Sequence, residues 1–382
     1  MEPLGPSDPA RSVPADQLLP LARAAAEAAG VTRLADVTRL DRIGLPVWQA
    51  VRPMSRALSV HQGKGATDAE AQLGALLEAV ESHSAETFSS DARHCSFNSL
   101  PERNRPPSLG DFAANRDRPP DGRDTIRWVE CENLLGSDRI YLPLDLISLD
   151  FTRNIPSLFD RASNGVATAA TRDEAIATAL QELIERDSVI EWQAAGLLTA
   201  MESTVDLDSA PFDWLRLLRE RIASTGAFVR CYHVPSITGS PVFACEINDH
   251  AKDGSAYRAI QGRGCHPMPE IALFKALAEA IQGRATYIAG ARDDLMPSDY
   301  VANTKAIQIA FGFPLPPDMD GMDFTEIASG PIGVAELWKA LEDAGYDQIA
   351  IVDLAQPTGL SVVRAFVCGL GSLVRRRRPI PS

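Results

Sequence analysis

Three pairs of oxygen-bearing side chains, spread through 382 residues, share one local pattern. Ala75-Leu76-Leu77-Glu78-Ala79-Val80-Glu81, Ala179-Leu180-Gln181-Glu182-Leu183-Ile184-Glu185 and Ala276-Leu277-Ala278-Glu279-Ala280-Ile281-Gln282 all fit A-L-x-E-x-[VI]-[EQ], about a hundred positions apart. Positions i and i+3 lie on one face of a helix, so each segment presents two oxygen ligands together. An isolated E-x-x-E ordinarily marks a solvated face. Here Glu78 stands among Ala75, Leu76, Leu77, Ala79 and Val80, and Glu182 among Leu180, Leu183 and Ile184. Such segments are apolar nearly all round, as buried helices are. Acid pairs on buried helices are costly unless paired or metal-bound. If the five carboxylates converge, each close pair repels by about 1 kcal/mol in water and by ~4 kcal/mol at an effective dielectric of roughly 20. Divalent cations remove that repulsion, and Mg2+ takes oxygen ligands, keeps waters and is commonly shared with substrate phosphates. Glu78, Glu81, Glu182, Glu185 and Glu279 are therefore the expected metal ligands.

Cations for the phosphates stand nearby. Lys64 lies between Gly63 and Gly65, Arg186 follows Glu185, and Arg284 follows Gln282 by two. Backbone amides flanking Lys64 could also approach an anion. Lys64 reads equally as a surface charge, because Gly63-Lys64-Gly65 lacks the full phosphate-loop pattern. Arg186 reads equally as a partner of Glu182 or Asp187. The residues alone point to a magnesium-dependent nucleotide site of a non-P-loop kind.

The elements that must position these residues are legible in outline. Each of the three helices is expected to follow a glycine-bearing turn: Gly63-Lys64-Gly65, Ser163-Asn164-Gly165 and Gly262-Arg263-Gly264. Thr67 with Glu70 and Thr171 with Glu174 have capping-box spacing, and Pro269-Glu270 suits a first turn. Further helices are expected over 16–29, stopped by Gly30, and over 334–344. Short runs rich in Val, Ile, Phe or Cys predict strands at 139–142, 227–234, 241–247, 348–354 and 361–367. The Pro-rich stretches 99–125 and 313–321 read as a surface loop and a separator, and residues 1–13 as disordered. Strands and helices mixed without regular βαβ spacing predict an α+β fold. The expected organisation is an N-terminal extension over 1–45, one domain over 46–373 and a basic, Pro-containing tail over 374–382.

Composition narrows the function classes. Hydrophobic residues make up 45% and charged residues 23%, which is ordinary for a globular chain. A net charge of −14, from 37 basic and 51 acidic residues, disfavours nucleic acid as the main partner. The N-terminus lacks the pattern of a secretory signal, and no run of about 18 apolar residues predicts a membrane helix. Six scattered cysteines without a C-x-x-C pair read as reduced, partly buried thiols, and the expected location is the cytoplasm.

The three ordered motifs, with Glu185-Arg186-Asp187 and Glu279-Ala280-Ile281-Gln282-Gly283-Arg284, resemble the YcaO superfamily over about residues 50–372. Ser361-Val362-Val363-Arg364 is similar to that family's last strand. The resemblance implies an α+β YcaO fold, with mixed sheets and three buried helices around ATP and Mg2+. By analogy, Lys64, Asn164 and Arg284 would contact the nucleotide, with Gln282 and Arg186 beside the metal-binding glutamates. Family members phosphorylate a peptide amide oxygen after a nucleophile adds to the carbonyl, giving an azoline from Cys, Ser or Thr and a thioamide from sulfide. Gly74 and Ser82 stand where many members have Ser and Arg, and Cys368 where many have Pro. The tail 375–381 has two prolines after four arginines, where azoline-forming members often end in alternating prolines, so both products stay open. The resemblance further implies a precursor peptide or protein substrate and a separate TfuA-like or peptide-docking partner. Such proteins are often homodimers. The competing reading is a non-catalytic scaffold assisting a sulfur-inserting methylthiotransferase.

Overall fold

The helices that matter, in chain order, are α1 (Ala15–Ala28), α2 (Asp68–Thr87), α3 (Arg172–Ala195), α4 (Asp213–Ser224), α5 (Pro269–Ala289) and α6 (Gly333–Asp343). The main strands are β1 (Arg33–Asp36), β2 (Val47–Val51), β3 (Val60–Lys64), β4 (Arg93–Ser96), β5 (Thr125–Asn133), β6 (Arg139–Pro143), β7 (Val166–Ala169), β8 (Ala227–Val234), β9 (Val242–Asp249), β10 (Ile260–Cys265), β11 (Ile349–Ala355) and β12 (Ser361–Val367). The structure, a computed structural model, describes residues 3–106, 109, 120–136, 138–153, 158–159, 161–249, 260–300, 321–355 and 359–370. The tail at 374–382, most of the Pro-rich stretch 313–321 and much of the loop 99–125 lie outside the described residues.

The chain forms two compact units, one of residues 1–54, 58–79 and 188–331, the other of residues 55–57, 80–187 and 332–382. The division falls inside α2 and inside α3. In the first unit β1, β2 and β3 form one antiparallel sheet, and β8, β9 and β10 another with β9 central. Its core gathers Ile43, Leu45, Leu218, Phe243, Leu277, Ile281 and Phe324. The second unit is built on a six-stranded antiparallel sheet in the order β4-β5-β11-β12-β7, with β6 also paired to β5. A two-residue parallel bridge joins Val205–Asp206 to Met322–Asp323. The fold is α+β, as expected.

The first capping box forms in full, and the Thr171 half of the second is made. The Glu70 N–H donates to Thr67 Oγ1 at 3.2 Å, and Glu70 Oε2 accepts from the N–H groups of Thr67 at 3.3 Å and Ala66 at 2.7 Å. The Glu174 N–H donates to Thr171 Oγ1 at 3.3 Å. Both contacts satisfy first-turn donors that have no helical acceptor. Pro269 starts α5 without a side-chain cap.

Two of the three expected glycine turns are something else. Gly63 and Lys64 end β3, and Gly262, Arg263 and Gly264 lie within β10. A Cβ on Gly63 would sit 2.0 Å from the Ala71 carbonyl oxygen and 2.2 Å from the Ala75 nitrogen. On Gly262 it would sit 2.1 Å from the Ala276 oxygen and 2.2 Å from the Ala280 nitrogen. These glycines let a strand lie directly on the backbone of the helix that follows it, the close approach that glycine alone permits. Gly74, on α2, faces Gly63 at the same crossing. Of the three expected turns, the one at Gly165 forms, with φ of 76°.

Within residues 3–13, read from sequence as disordered, Leu4, Gly5 and Asp8 make specific contacts. Leu4 belongs to the first unit's core and its N–H donates to the Ala66 carbonyl at 3.1 Å. Gly5 lies against the Phe274 ring. Asp8 Oδ1 stands 3.2 Å from Nε2 of buried His266, whose Nδ1 accepts from the Met268 N–H at 3.1 Å. Burial pushes the Asp8 carboxyl up, but His266, the Ala10 N–H and Lys275 overcome it and hold the group at about 2. One apolar side chain and one carboxylate anchor a segment whose Pro-rich composition reads as loop.

Candidate functional site

The expected site residues fall into two clusters, one in each unit. In the first unit, Lys64 Nζ lies 3.2 Å from Glu279 Oε2, joining β3 to α5. Both side chains keep partial exposure, 26% and 31%, so each is reachable from solvent. Glu78 Oε2 accepts from the Gln62 N–H at 2.9 Å, and its Oε1 stands 4.0 Å from His61 Nδ1. Arg292, clasped by Asp294 at 2.8 and 2.5 Å, adds positive field at Glu78. Gln282, one turn beyond Glu279, donates its Nε2 to Gln62 Oε1 at 3.3 Å. Arg284 Nε is ion-paired with buried Asp41 at 2.9 Å, which fixes the guanidinium.

The second unit holds Glu81, Glu182, Glu185, Arg186 and Asn164. Glu81 Oε1 accepts from the Thr168 N–H of β7 at 2.7 Å. Glu182 Oε2 accepts from the Gly165 N–H at 3.1 Å, next to half-buried Asn164. Arg186 reaches both acids of its motif, Glu182 and Glu185, at 3.6 Å each. Behind Glu182, the Ala365 N–H of β12 donates to the Gly165 carbonyl at 2.8 Å and holds that turn. Arg364, fully buried, donates to the carbonyls of Ile147, at 3.0 Å, and Ala162. Burial lowers its pKa to about 9 against the pull of Glu182. It is a fixed cation under this acidic cluster.

A shared device runs through both clusters. Glu78, Glu81 and Glu182 each place one carboxylate oxygen on a backbone N–H of β3, of β7 or of the turn before β7. Such contacts orient a ligand before any ion arrives. Sequence reasoning missed Gln62, Asp41 and Arg292. Gln62 had a signal: on a strand it shares a face with Lys64, two positions on. Asp41 and Arg292 had none, because their roles depend on tertiary contacts.

Among the described residues, no three His, Cys, Asp or Glu side chains gather closely enough to enclose a metal ion. The donor set nevertheless suits Mg2+ with a polyphosphate. Each cluster offers hard carboxylate oxygens oriented by backbone amides, with Lys64 and Arg284 as cations in the first unit and Arg186 in the second. An ion that keeps waters and shares phosphate oxygens needs only one or two protein carboxylates.

The family model described as YcaO cyclodehydratase, ATP- and Mg2+-binding, matches residues 62–371. The chain belongs to the YcaO family. A protein of Methanothermobacter thermautotrophicus is 31% identical to this YcaO chain over 358 residues, covering 89% of the chain and 90% of the relative. A Rhizobium leguminosarum bv. trifolii protein of the tfuA 3′ region is 31% identical over 359 residues, covering 89% and 84%. Among solved structures, YcaO from Methanopyrus kandleri bound with AMPPCP and Mg2+ superposes with a TM-score of 0.71 at 22% identity, covering 97% of this chain and 93% of that one. A heterocyclase in complex with substrate and cofactor gives 0.74 at 22% identity; it covers 96% of this chain, which spans about half (53%) of the heterocyclase. These likenesses establish the YcaO fold.

The six cysteines are free thiols, all buried except half-buried Cys95. Cys231 and Cys245 face each other across β8 and β9 with sulfurs 2.6 Å apart. No helix among the described residues is long and apolar enough to cross a membrane.

Proposed function

We propose that this YcaO protein binds ATP with Mg2+ and activates backbone amides of a peptide by O-phosphorylation. Glu78, Glu81, Glu182, Glu185 and Glu279 would hold Mg2+, with Lys64, Asn164, Arg186, Gln282 and Arg284 on the nucleotide. Bound Mg2+–ATP supplies an electrophilic phosphoryl group and neutralises charge on the phosphates. The chain's own part is positional. Backbone amides aim three carboxylates, Lys64 offers a cation at Glu279, and Asp41 and Glu182 set the guanidinium groups of Arg284 and Arg186. A peptide amide is a poor electrophile whose oxygen leaves badly, and phosphorylation turns that oxygen into phosphate. The nucleophile, a Cys, Ser or Thr side chain or sulfide, adds to the carbonyl first, and the phosphorylated oxygen then leaves as phosphate to give an azoline or a thioamide.

The observation that carries this reading is the repeated carboxylate-on-backbone contact at the first two of the family's three motifs, with Lys64 placed on the third. The tfuA-region relative supports a TfuA-like partner for presenting the precursor peptide. The test is peptide-dependent release of phosphate or pyrophosphate from ATP, lost in Glu182→Ala and Glu279→Ala. Full activity in both variants refutes the metal assignment, and absence of any heat with Mg2+ and millimolar ATP in calorimetry favours the scaffold reading.

A further inference from the structure

Gln62 is 6% exposed, lies on β3 and touches both motif helices of the first unit. Its main-chain N–H holds Glu78, while its Oε1 meets Gln282 Nε2 at 3.3 Å and Thr286 Oγ1 at 2.5 Å. Its own Nε2 is buried without a hydrogen-bond partner. Burying a donor without a partner is costly, so this arrangement needs a compensating reason. The alternative is available, because both amides could turn together and point the Gln62 Nε2 at Thr286 Oγ1 and the Gln282 oxygen. The Thr286 hydroxyl has one proton, and the Gln282 carbonyl, 2.7 Å away, can take it in that alternative.

The two arrangements present opposite chemistry one turn from Glu279. With Nε2 turned to Gln62, Gln282 leaves its Oε1 outward, and that oxygen has no protein partner among the described residues. Turned the other way, Gln282 would present an NH2 group, a donor unable to bind a cation. We propose that Gln62 is a positioning residue that sets the Gln282 amide carbonyl-outward, so that Gln282 adds a hard oxygen beside Glu279. A cation engaging that oxygen offsets the cost of the unpaired Gln62 amide. The inference rests on the reading of the Glu279 face as a cation site.

Mn2+ serves as the probe, titrated by electron paramagnetic resonance into the full chain with saturating AMPPCP, and thermal melting is recorded for every variant. Gln62→Glu can only accept, so it enforces carbonyl-outward geometry and is expected to bind Mn2+ at least as tightly as wild type. Gln62→Leu can do neither and is expected to lose about 10- to 100-fold, the usual effect of removing a residue that orients a metal ligand. If Leu unfolds the protein, Gln62→Met replaces it with the same expectation. In a Gln282→Leu background the difference between Glu and Leu at position 62 is expected to vanish. The inference is overturned if Gln62→Glu falls as far as Gln62→Leu, if neither differs from wild type, or if the difference persists without the Gln282 amide. Glu279→Ala separates the two levels: wild-type Mn2+ affinity in that variant refutes the cation site itself.

Discussion

Gly262→Ala adds one methyl group to β10, where there is no room for it. The new Cβ would lie 2.1 Å from the Ala276 oxygen and 2.2 Å from the Ala280 nitrogen, both backbone atoms of α5. Ordinary contacts at such atoms are well beyond 3 Å, so strand and helix must part by about an ångström along a seam that carries Glu279. No side chain can rotate to relieve it. Overpacking of this kind costs typically ~1–3 kcal/mol and more where backbone must move; we expect at least ~3 kcal/mol. For a unit of this size that lowers the melting temperature by roughly 6–12 °C. Circular dichroism melts of Gly262→Ala and Gly63→Ala, which faces the same geometry on α2, measure it. Gly226→Ala is the contrast: it carries positive φ of 85° with nothing within 4 Å, so its cost is local strain of only about 1–2 kcal/mol. If Gly262→Ala melts within a degree or two of wild type, the close strand–helix crossing is wrong and the glycines are turn residues after all.

Lys64→Met removes a partly exposed ion pair, so stability should change by less than about 1 kcal/mol, while AMPPCP affinity falls about 10- to 100-fold in calorimetry. Glu81→Gln keeps an acceptor for the Thr168 N–H and should melt like wild type, yet lose Mg2+-dependent nucleotide binding. A stability loss without a binding loss would mark Glu81 as structural. Asp8 titrates at about 2 in the folded chain against 3.8 unfolded. Its depressed pKa contributes about 2 kcal/mol above pH ~4, lost as pH falls towards 2. Asp8→Asn should remove that part of the acid dependence in melts between pH 5 and 2, and an unchanged profile would refute the anchor.

How far the sequence reaches depends on whether a feature is local. Strands at 227–234 and 361–367 and the helices from Asp68 and Arg172 follow from composition and capping, which act over a few residues. Gly63 and Gly262 look like turn formers because glycine before a helix usually is one; their packing role appears only when the helix lies back across the strand. Leu4 and Asp8 sit in a Pro-rich segment, and their partners Ala66 and His266 are remote in sequence. The division into two units passes through α2 and α3, whose unbroken helical periodicity carries no sign of it. The carboxylates of the motifs were legible, because charge on an apolar helix is costly enough to stand out. Gln62 left only its place on the Lys64 face of a short strand; the role of that neutral amide comes from Gln282 and Thr286.

The most direct test of the account is calorimetric titration of AMPPCP with Mg2+ into wild type, Glu279→Ala and Glu182→Ala, one carboxylate from each unit. One site per chain in wild type, lost or weakened at least about 10-fold in both variants, is the predicted result. Wild-type affinity in either variant would contradict that carboxylate's place among the Mg2+ ligands.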